Sequence, residues 1–230
     1  MLILENVKKL YSNNRGLRST SIQFREGEIT GILGRNGSGK TTLLKAILNL
    51  LPLDEGWITL HNKPVEEQFE QIAFITEDGS FFPYMSAKEY GEFLTLYYPS
   101  FSKKRYFELL DQFEVSIFDT IKSLSKGQQL KVEISAGFAM NAKLIILDEP
   151  FTTLDIYAKE DTVRLLIEQV KEDVIILIST HNIEEIETVI DRCVVLDDGM
   201  IQEDIMMDEL NESGKDLHAL LDPYRPAVRK

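Results

Sequence analysis

The sequence has a single cysteine, Cys193, among 230 residues. One cysteine cannot form a disulfide within the chain, which excludes the small disulfide-stapled scaffolds and favours a reducing compartment. The purest apolar run, Val174–Ile178, is far shorter than the roughly 20 residues that cross a bilayer. The first acid, Glu5, comes so early that we expect no secretory signal peptide. If a membrane matters to this protein, another chain must cross it.

A basic face or stripe is also missing. The chain has 25 Lys and Arg against 38 Asp and Glu, with a formal net charge of −13. Residues 144–230 hold 8 basic and 21 acidic residues, so this last third carries the excess. Because nucleic-acid binders concentrate positive charge against phosphates, we expect no nucleic-acid partner. The acidic surface favours solubility, with a docking face for basic loops of a partner as the alternative.

The predicted elements divide the chain into three parts, with no repeat and no Pro-, Gly- or Ser-rich linker. Residues 1–76 are predicted as strands around a glycine-rich loop and one helix, and residues 77–143 as aromatic-rich helices. In residues 144–230 apolar strands alternate with helices, which is typical of a parallel sheet covered on both faces. The sequence therefore predicts an α/β core with a mostly helical insertion.

The boundaries of these elements follow from apolar periodicity, caps and prolines. The predicted strands are Leu2–Leu10, Leu17–Phe24, Glu28–Leu33, Trp57–Leu60, Ile72–Thr76, Leu144–Leu147, Val174–Ser179 and Arg192–Leu196. The predicted helices are Lys40–Leu51, ended by Pro52, then Ser86–Tyr97, Lys103–Phe113, Ser125–Ala142, Ile156–Val170 and Ile183–Val189.

The segment Gly34–Thr41 reads GRNGSGKT and matches G-x-x-x-x-G-K-[ST] between a predicted strand and a predicted helix. Glycines let backbone N–H groups turn inward around phosphate oxygens, and the helix adds the positive end of its dipole. Lys40 is predicted to reach the β- and γ-phosphates and the Thr41 hydroxyl to ligate Mg²⁺. The alternative is a chance glycine-rich turn. The candidate nucleotide-binding residues are Gly34, Arg35, Asn36, Gly37, Ser38, Gly39, Lys40, Thr41 and Thr42.

Two adjacent acids, Asp148 and Glu149, follow the predicted strand Leu144–Leu147. Ligands of parallel sheets bind at the carboxyl ends of the strands. We therefore expect Asp148 to hold Mg²⁺ through water, and Glu149 to orient or deprotonate an attacking water. The alternative is an ordinary strand-to-turn junction, and the phosphate loop favours the first interpretation.

His181 follows the next predicted strand of the same sheet. We expect it to reach the same sheet edge as Glu149, where it would contact the γ-phosphate and sense its loss. The alternative is a surface or capping histidine.

These motifs, in this order, resemble the nucleotide-binding subunits of ABC (ATP-binding cassette) transporters over nearly the full chain. The segment Leu124–Gln128, which we call the signature segment, reads LSKGQ and is similar to the family signature LSGGQ. It ends 20 residues before Asp148, as in the family. Tyr11 resembles the aromatic that stacks on adenine, and Asp155 lies in the family's D-loop position.

The resemblance implies one ABC ATPase domain over residues 1–230 with ATP and Mg²⁺ as cofactors. Residues 1–76 and 144–230 would form the P-loop α/β core with an N-terminal antiparallel β subdomain, and about 77–143 the helical subdomain. It also implies two ATPs held head-to-tail in a homodimer or heterodimer. The residues that would grip the partner's ATP are Ser125, Gly127 and Gln128. Independently, Ser125 is predicted to cap a helix whose N-terminus favours an anion.

The chain departs from the family pattern at two positions. Glu77 stands where the family has the Gln of its Q-loop; a carboxylate can still ligate Mg²⁺, yet it adds negative charge near the phosphates. The alternative is an exposed loop acid, with the register displaced by one residue. Lys126 replaces a signature glycine but leaves Gly127 for close backbone approach.

The predicted function is an ATPase subunit that drives a separate membrane permease, an exporter of small molecules or peptides, from the cytoplasmic face of the membrane. The segment Glu77–Ser86 lies where family members receive a permease helix, and Phe81–Tyr84 offers an apolar patch there. Aromatics that fold inward are the alternative. The other functions considered are a soluble ABC-type ATPase acting on ribosomes or DNA, and a low-turnover regulatory module.

Overall fold

The computed structural model describes residues 1–76, 79 and 81–224. Over these residues the strands are β1 Leu2–Leu10, β2 Gly16–Phe24, β3 Ile29–Leu33, β4 Glu55–Leu60, β5 Lys63–Pro64, β6 Ile72–Thr76, β7 Leu144–Asp148, β8 Ile175–Thr180, β9 Arg192–Asp197 and β10 Met200–Met206. The α-helices are α1 Lys40–Ile47, α2 Ala87–Tyr97, α3 Lys103–Gln112, α4 Lys126–Ala139, α5 Ile156–Gln169, α6 Met207–Glu212 and α7 Leu217–Leu221.

One compact unit comprises residues 1–68 and the chain from Leu177 onward. It contains an antiparallel sheet in the order β2-β1-β4-β5, and strands in the order β10-β9-β3-β8. All five residues of β3 are buried, and β3 pairs in parallel with β9. A strand that is apolar on both faces belongs inside a sheet, and here β3 delivers the chain to the phosphate loop.

A buried ion network fixes the strands beside β3. The Arg192 guanidinium donates to Asp204 at 2.6 and 2.7 Å and to Glu28 at 3.1 Å. It also donates to the Gln23 carbonyl at 2.8 Å. The Arg192 and Glu28 side chains are only 11% and 10% exposed, and that of Asp204 is 39% exposed. The network thus ties β9, β10, β2 and the turn before β3 together.

The other unit comprises Phe69–Ile176. In it β6 and β7 pair in parallel, with Thr76 opposite Asp148. Helices α2, α3 and α4 enclose the buried Tyr106, whose hydroxyl donates to the Ala87 carbonyl at 2.9 Å. Ser86 begins α2 with a capping box in which its hydroxyl and the Glu89 side chain exchange hydrogen bonds with backbone N–H groups.

The predicted end of α1 is wrong, and the reason lies in the backbone. The helix stops at Ile47, not near Leu51, because Asn49 adopts a left-handed φ of 51°. The Asn49 N–H donates to the Ala46 carbonyl and the Leu50 N–H to the Lys45 carbonyl, which is a Schellman motif. Asparagine, not the later proline, therefore ends this helix.

The predicted helix over Ile183–Val189 is also wrong, since only the single 3₁₀ turn Ile183–Glu185 forms. The Thr180 hydroxyl accepts from the Asn182 N–H at 3.0 Å, and this local bond competes with helical pairing. The helix predicted over Ser125–Ala142 is confirmed as α4, but it ends at Ala139, and Asn141 then adopts a positive φ of 50°.

Candidate functional site

The phosphate loop, Gly34–Thr41, begins at a position that only glycine can occupy. A Cβ added to Gly34 would lie 2.3 Å from the Leu196 carbonyl oxygen and 2.6 Å from the Ser38 hydroxyl. The Ser38 N–H donates to the Arg35 carbonyl at 3.0 Å, which closes the first turn of the loop. The loop therefore wraps tightly before α1 begins.

Lys40 is buried, and its ammonium lies across the phosphate loop. Its Nζ donates to the Gly34 carbonyl at 2.7 Å and to the Arg35 carbonyl at 3.4 Å. The cation is thus held at the start of the loop by its own backbone, in the position where phosphate oxygens would meet it.

The donors of this loop suit an anion. Gly39 caps α1 with no side-chain hydrogen bond, and no acid lies in the first turn. The Ser38 hydroxyl is buried without a hydrogen-bond partner among the described residues. Space is open beside Gly37, where an added Cβ would meet no atom within 4 Å. Unpaired donors at a helix N-terminus form an anion site, so the residues fit a nucleotide's phosphates. The other predicted contacts, Arg35, Asn36, Thr41 and Thr42, lie in the same loop and first turn.

His181 lies beside the phosphate loop. A cavity of about 270 Å³ is lined by Gly34 and Arg35 on one side, and by Thr180 and His181 on another. The strand β8 ends at Thr180, so its carboxyl end delivers the histidine to this place. Within the first unit, His181 therefore lies close to the phosphate loop, while its contact with a γ-phosphate stays a prediction. Sequence reasoning did not anticipate that His218 of α7 lines the same cavity.

Tyr11 lies in the turn that joins β1 and β2. Its N–H donates to the Arg15 carbonyl at 2.8 Å, and its side chain is 46% exposed, which leaves the ring accessible for stacking. The turn ends at Gly16, whose carbonyl oxygen lies 3.0 Å from the position of a Cβ on Gly39. The chain that follows Tyr11 thus reaches the phosphate loop.

The two predicted acids lie in the other unit, at the end of β7. Asp148 is the last residue of the strand and is 8% exposed. Glu149 has a left-handed φ of 51°, a conformation that costs a non-glycine residue about 1–3 kcal/mol. Its carbonyl accepts from the Thr152 hydroxyl at 3.1 Å. Such strain clusters at functional sites, which favours a functional role for Glu149.

The signature segment confirms the predicted cap. Ser125 begins α4; its hydroxyl accepts from the Gln128 N–H at 3.3 Å, and its own N–H donates to the Gln128 side chain at 3.1 Å. The Gln128 side-chain oxygen thus accepts a hydrogen bond at the start of the helix. The amide nitrogen of the same side chain is the candidate group for contact with a nucleotide. A Cβ on Gly127 would lie 2.8 Å from the Thr153 carbonyl oxygen. Gly127 therefore also permits a close approach of protein backbone.

Asp155 has a structural role that the sequence did not predict. Its carboxylate accepts from the Ala158 N–H at 2.9 Å, which caps α5, and from the Lys131 ammonium at 3.2 Å. The Ala158 N–H and then Lys131 hold the pKa of this carboxyl below its usual range. No sequence signal marked Lys131 as its partner.

Glu77 lies outside the described residues. Among the described ones, no group of three His, Cys, Asp or Glu side chains could cage a metal ion. Mg²⁺ is usually held by one or two carboxylates with waters and phosphates; the Thr41 hydroxyl in the first unit and the Asp148 carboxylate in the second are each oxygen donors of the kind that it prefers. In the patch predicted to meet a permease, Phe82 is 48% and Tyr84 76% exposed. No helix within the described part of the chain is long and apolar enough to span a membrane.

Comparison with known proteins gives consistent matches. The sequence profile described as ABC transporter matches residues 17–152. The ABC transporter ATP-binding protein YtrB of Bacillus subtilis is 31% identical over 216 residues, which cover 92% of this chain and 74% of the relative. The SkfA peptide export ATP-binding protein SkfE of the same organism is 28% identical, and the match covers 94% of this chain and 93% of the relative.

Solved structures agree with this fold. The ATP-binding subunit of an ABC transporter superimposes with a TM-score of 0.87 at 25% identity, over 97% of this chain and 99% of that one. A dimeric ATP-binding cassette in a post-hydrolysis state, bound to ADP and Pi, superimposes with a TM-score of 0.79 at 26% identity, over 90% and 99%. The predicted fold class, an α/β P-loop core with antiparallel and helical parts, is confirmed.

Proposed function

Because the chain belongs to the ABC transporter family, whose ATP-binding subunits hydrolyse ATP, we propose that it drives a separate membrane permease by ATP-dependent dimerisation. The observation that carries this proposal is the preformed phosphate loop, with Lys40 held across it and the Ser38 hydroxyl buried without a partner. A buried donor without a partner costs free energy, which a bound phosphate would recover.

In this proposal the phosphate loop binds the ATP phosphates through the backbone N–H groups of Gly34–Gly39 and the Lys40 ammonium. The adenine stacks on Tyr11, whose exposed ring lies on the turn between β1 and β2. The first turn of α1 contributes Thr41 and Thr42. Charge-assisted hydrogen bonds to phosphate are the strongest of these contacts.

Mg²⁺ would be held by the Thr41 hydroxyl and the Asp148 carboxylate, with Glu77 as a third oxygen ligand. When bound, the ion would neutralise charge on the phosphates and order their oxygens. Thr41 lies in the first turn of α1 and Asp148 ends β7, and these two observations support their proposed roles.

Hydrolysis in this account depends on Glu149, which accepts a proton from the attacking water and orients it in line with the γ-phosphate. Its left-handed backbone conformation, of the kind that clusters at functional sites, supports this role. His181 contacts the γ-phosphate, and its place beside Gly34 and Arg35 supports that role.

A second copy or a related subunit would complete each site. Ser125, Gly127 and Gln128 present the N-terminus of α4, which suits the phosphates of the partner's ATP. The dimeric cassette bound to ADP and Pi, to which this chain is similar, supports this arrangement. Both a homodimer and a heterodimer satisfy it, because each subunit has one phosphate loop and one signature segment.

The division into a nucleotide-binding core, residues 1–76 and 144–230, and a helical subdomain at about 77–143 remains part of the proposal. The exposed aromatics Phe82 and Tyr84 support a permease-docking site in the helical part. The subunit would then lie on the cytoplasmic face of the membrane. The similarity to a peptide export protein supports export of peptides or small molecules.

The experiment that tests this function is ATPase activity with and without a co-purified membrane partner. The proposal predicts hydrolysis that the membrane protein stimulates and that Lys40→Ala abolishes. Stimulation by ribosomes or DNA in place of a permease would favour the soluble ATPase. Tight nucleotide binding without turnover in either setting would favour the regulatory module.

A further inference from the structure

One carboxylate joins the starts of two helices in the second unit. Asp155 caps α5 by accepting from the Ala158 N–H at 2.9 Å, and its other oxygen accepts from Lys131 at 3.2 Å. Lys131 lies on α4, six residues after the cap Ser125. The ion pair therefore connects the helix that carries the signature segment with the segment that follows Glu149.

The lysine of this pair is shielded from water, although the Asp155 side chain is 57% exposed. The Lys131 side chain is only 16% exposed, and its ammonium lies 6.0 Å from the centre of the Phe113 ring. By contrast, Arg105 pairs with Glu168 between α3 and α5 at 2.8 Å with its side chain 36% exposed. Because water screens exposed pairs, we expect the Lys131 pair to hold its geometry more firmly.

A second contact joins the same two segments. The Thr153 carbonyl lies so close to Gly127 that a Cβ there would meet it at 2.8 Å. The Thr153 hydroxyl is buried, and Leu154 is buried beside it. The first turn of α4 thus packs on residues 153–155 without room for a side chain.

From these contacts we propose that Lys131 and Asp155 are positioning residues that hold the signature segment in register with the segment after Glu149. The inference rests on the proposed function, since the signature segment is taken to bind the partner's ATP. Only five residues separate Glu149 from Asp155. A displacement of either segment would therefore displace the other. Binding of the partner's nucleotide at Ser125 is in this way coupled to catalysis at Glu149 within one subunit.

The test uses the full chain with Glu149→Gln, which prevents hydrolysis, and measures ATP-dependent dimerisation by sedimentation. Lys131→Met removes the pair, and Asp155→Asn removes its charge while keeping a good helix cap. We expect each variant to weaken dimerisation by about ten-fold, the size of one charge-assisted hydrogen bond. Lys131→Arg should restore it, and the double variant should be no weaker than either single one.

Two controls separate positioning from stability. Binding of ATP to the monomer, measured by calorimetry at low protein concentration, should not change in Lys131→Met. Arg105→Met breaks another interhelical ion pair of this unit, that with Glu168, and should leave dimerisation unchanged.

The inference would be overturned, and the proposed function would stand, if Lys131→Met dimerised with the affinity of the Glu149→Gln parent. Fully additive effects of the two single variants would have the same consequence. The same loss in Arg105→Met would also overturn it, because the effect would then be general. A parent that does not dimerise with ATP would overturn the proposed function itself and the inference with it.

Discussion

The Lys40 ammonium donates to the Gly34 carbonyl oxygen at 2.7 Å, so the helix start and the strand end of the phosphate loop are joined by a side chain. The two partners are six positions apart along the chain, and the Lys40 side chain, which is buried, joins them directly. The loop is thereby shaped before a nucleotide binds, which lowers the ordering cost of binding.

Lys40→Ala should abolish measurable ATP binding. The Lys40 ammonium is buried within the loop, and a hydrogen bond from a charged group contributes about 1.5–3 kcal/mol. Loss of the loop's internal bond to Gly34 adds to the effect. Lys45→Ala, on the exposed side of the same helix, is the control and should bind normally. Calorimetry measures both; unchanged affinity in Lys40→Ala would place the nucleotide elsewhere.

Ser125→Asp should keep the stability of the protein and lose its ATP-dependent dimer. Aspartate caps helices as well as serine does, but its charge would repel the partner's phosphates. Ser102→Asp is the matched control, because Ser102 caps α3 by accepting from the Arg105 N–H at 3.2 Å and lies outside the signature segment. Thermal unfolding and sedimentation with ATP measure the two effects. A Ser125→Asp protein that still dimerises would remove Ser125 from the nucleotide site.

Cys193 should resist thiol reagents until the protein unfolds. The residue is fully buried in β9, and burial raises the pKa of its thiol to about 12. A raised pKa means that the folded protein binds this proton more tightly than the unfolded chain does. The thiol's contribution to the free energy of unfolding is therefore complete below the unfolded thiol's pKa of about 8.5 and falls as pH rises above it. Absorbance after addition of a disulfide reagent at pH 8, with and without urea, measures it. Rapid labelling without urea would contradict the burial of β9.

Glu77→Gln should shift the Mg²⁺ dependence of ATP turnover, because the carboxylate is proposed as a metal ligand. If Glu77 is only an exposed loop acid, the Mg²⁺ titration of the variant will superimpose on that of the parent. Glu66→Gln, an exposed acid outside the predicted site, is the control and should leave the titration unchanged.

The sequence predicted the loop before α1, the end of β7 and the cap of α4 better than it predicted the ends of helices, and the roles of the residues there stay predictions. The phosphate loop, the acids after β7 and the cap Ser125 are local patterns, and each depends on residues close together in the chain. Helix α1 ends before the predicted position because the left-handed backbone of Asn49 forms a Schellman motif. The sequence pattern instead indicates Pro52 as the residue that ends the helix.

Contacts between distant residues left no signal in the sequence. The pairing of Lys131 with Asp155 joins positions 24 residues apart, and nothing in either local pattern indicates it. The same holds for His218, which lines the cavity beside His181 through the packing of a short terminal helix. Such contacts are decided by tertiary packing, which periodicity and motifs do not encode.

Glu149→Gln should lower the rate of ATP hydrolysis by about 10²–10⁴, the usual contribution of a general base. ATP binding should survive, since Lys40 and the loop amides are unchanged and a repelling charge is gone. Single-turnover hydrolysis measures the rate. Hydrolysis near the parent rate would move the base elsewhere, with His181 as the next candidate, and loss of ATP binding would make Glu149 a structural residue.

The most direct test of the account is the molar mass of Glu149→Gln, measured by light scattering with and without ATP and Mg²⁺. The monomer has a mass of 26.4 kDa. We expect this mass without nucleotide and twice this mass with ATP, because the phosphate loop of one copy and the signature segment of the other complete each site. A mass of one subunit under both conditions would contradict the ATP-bound dimer on which the proposed function rests.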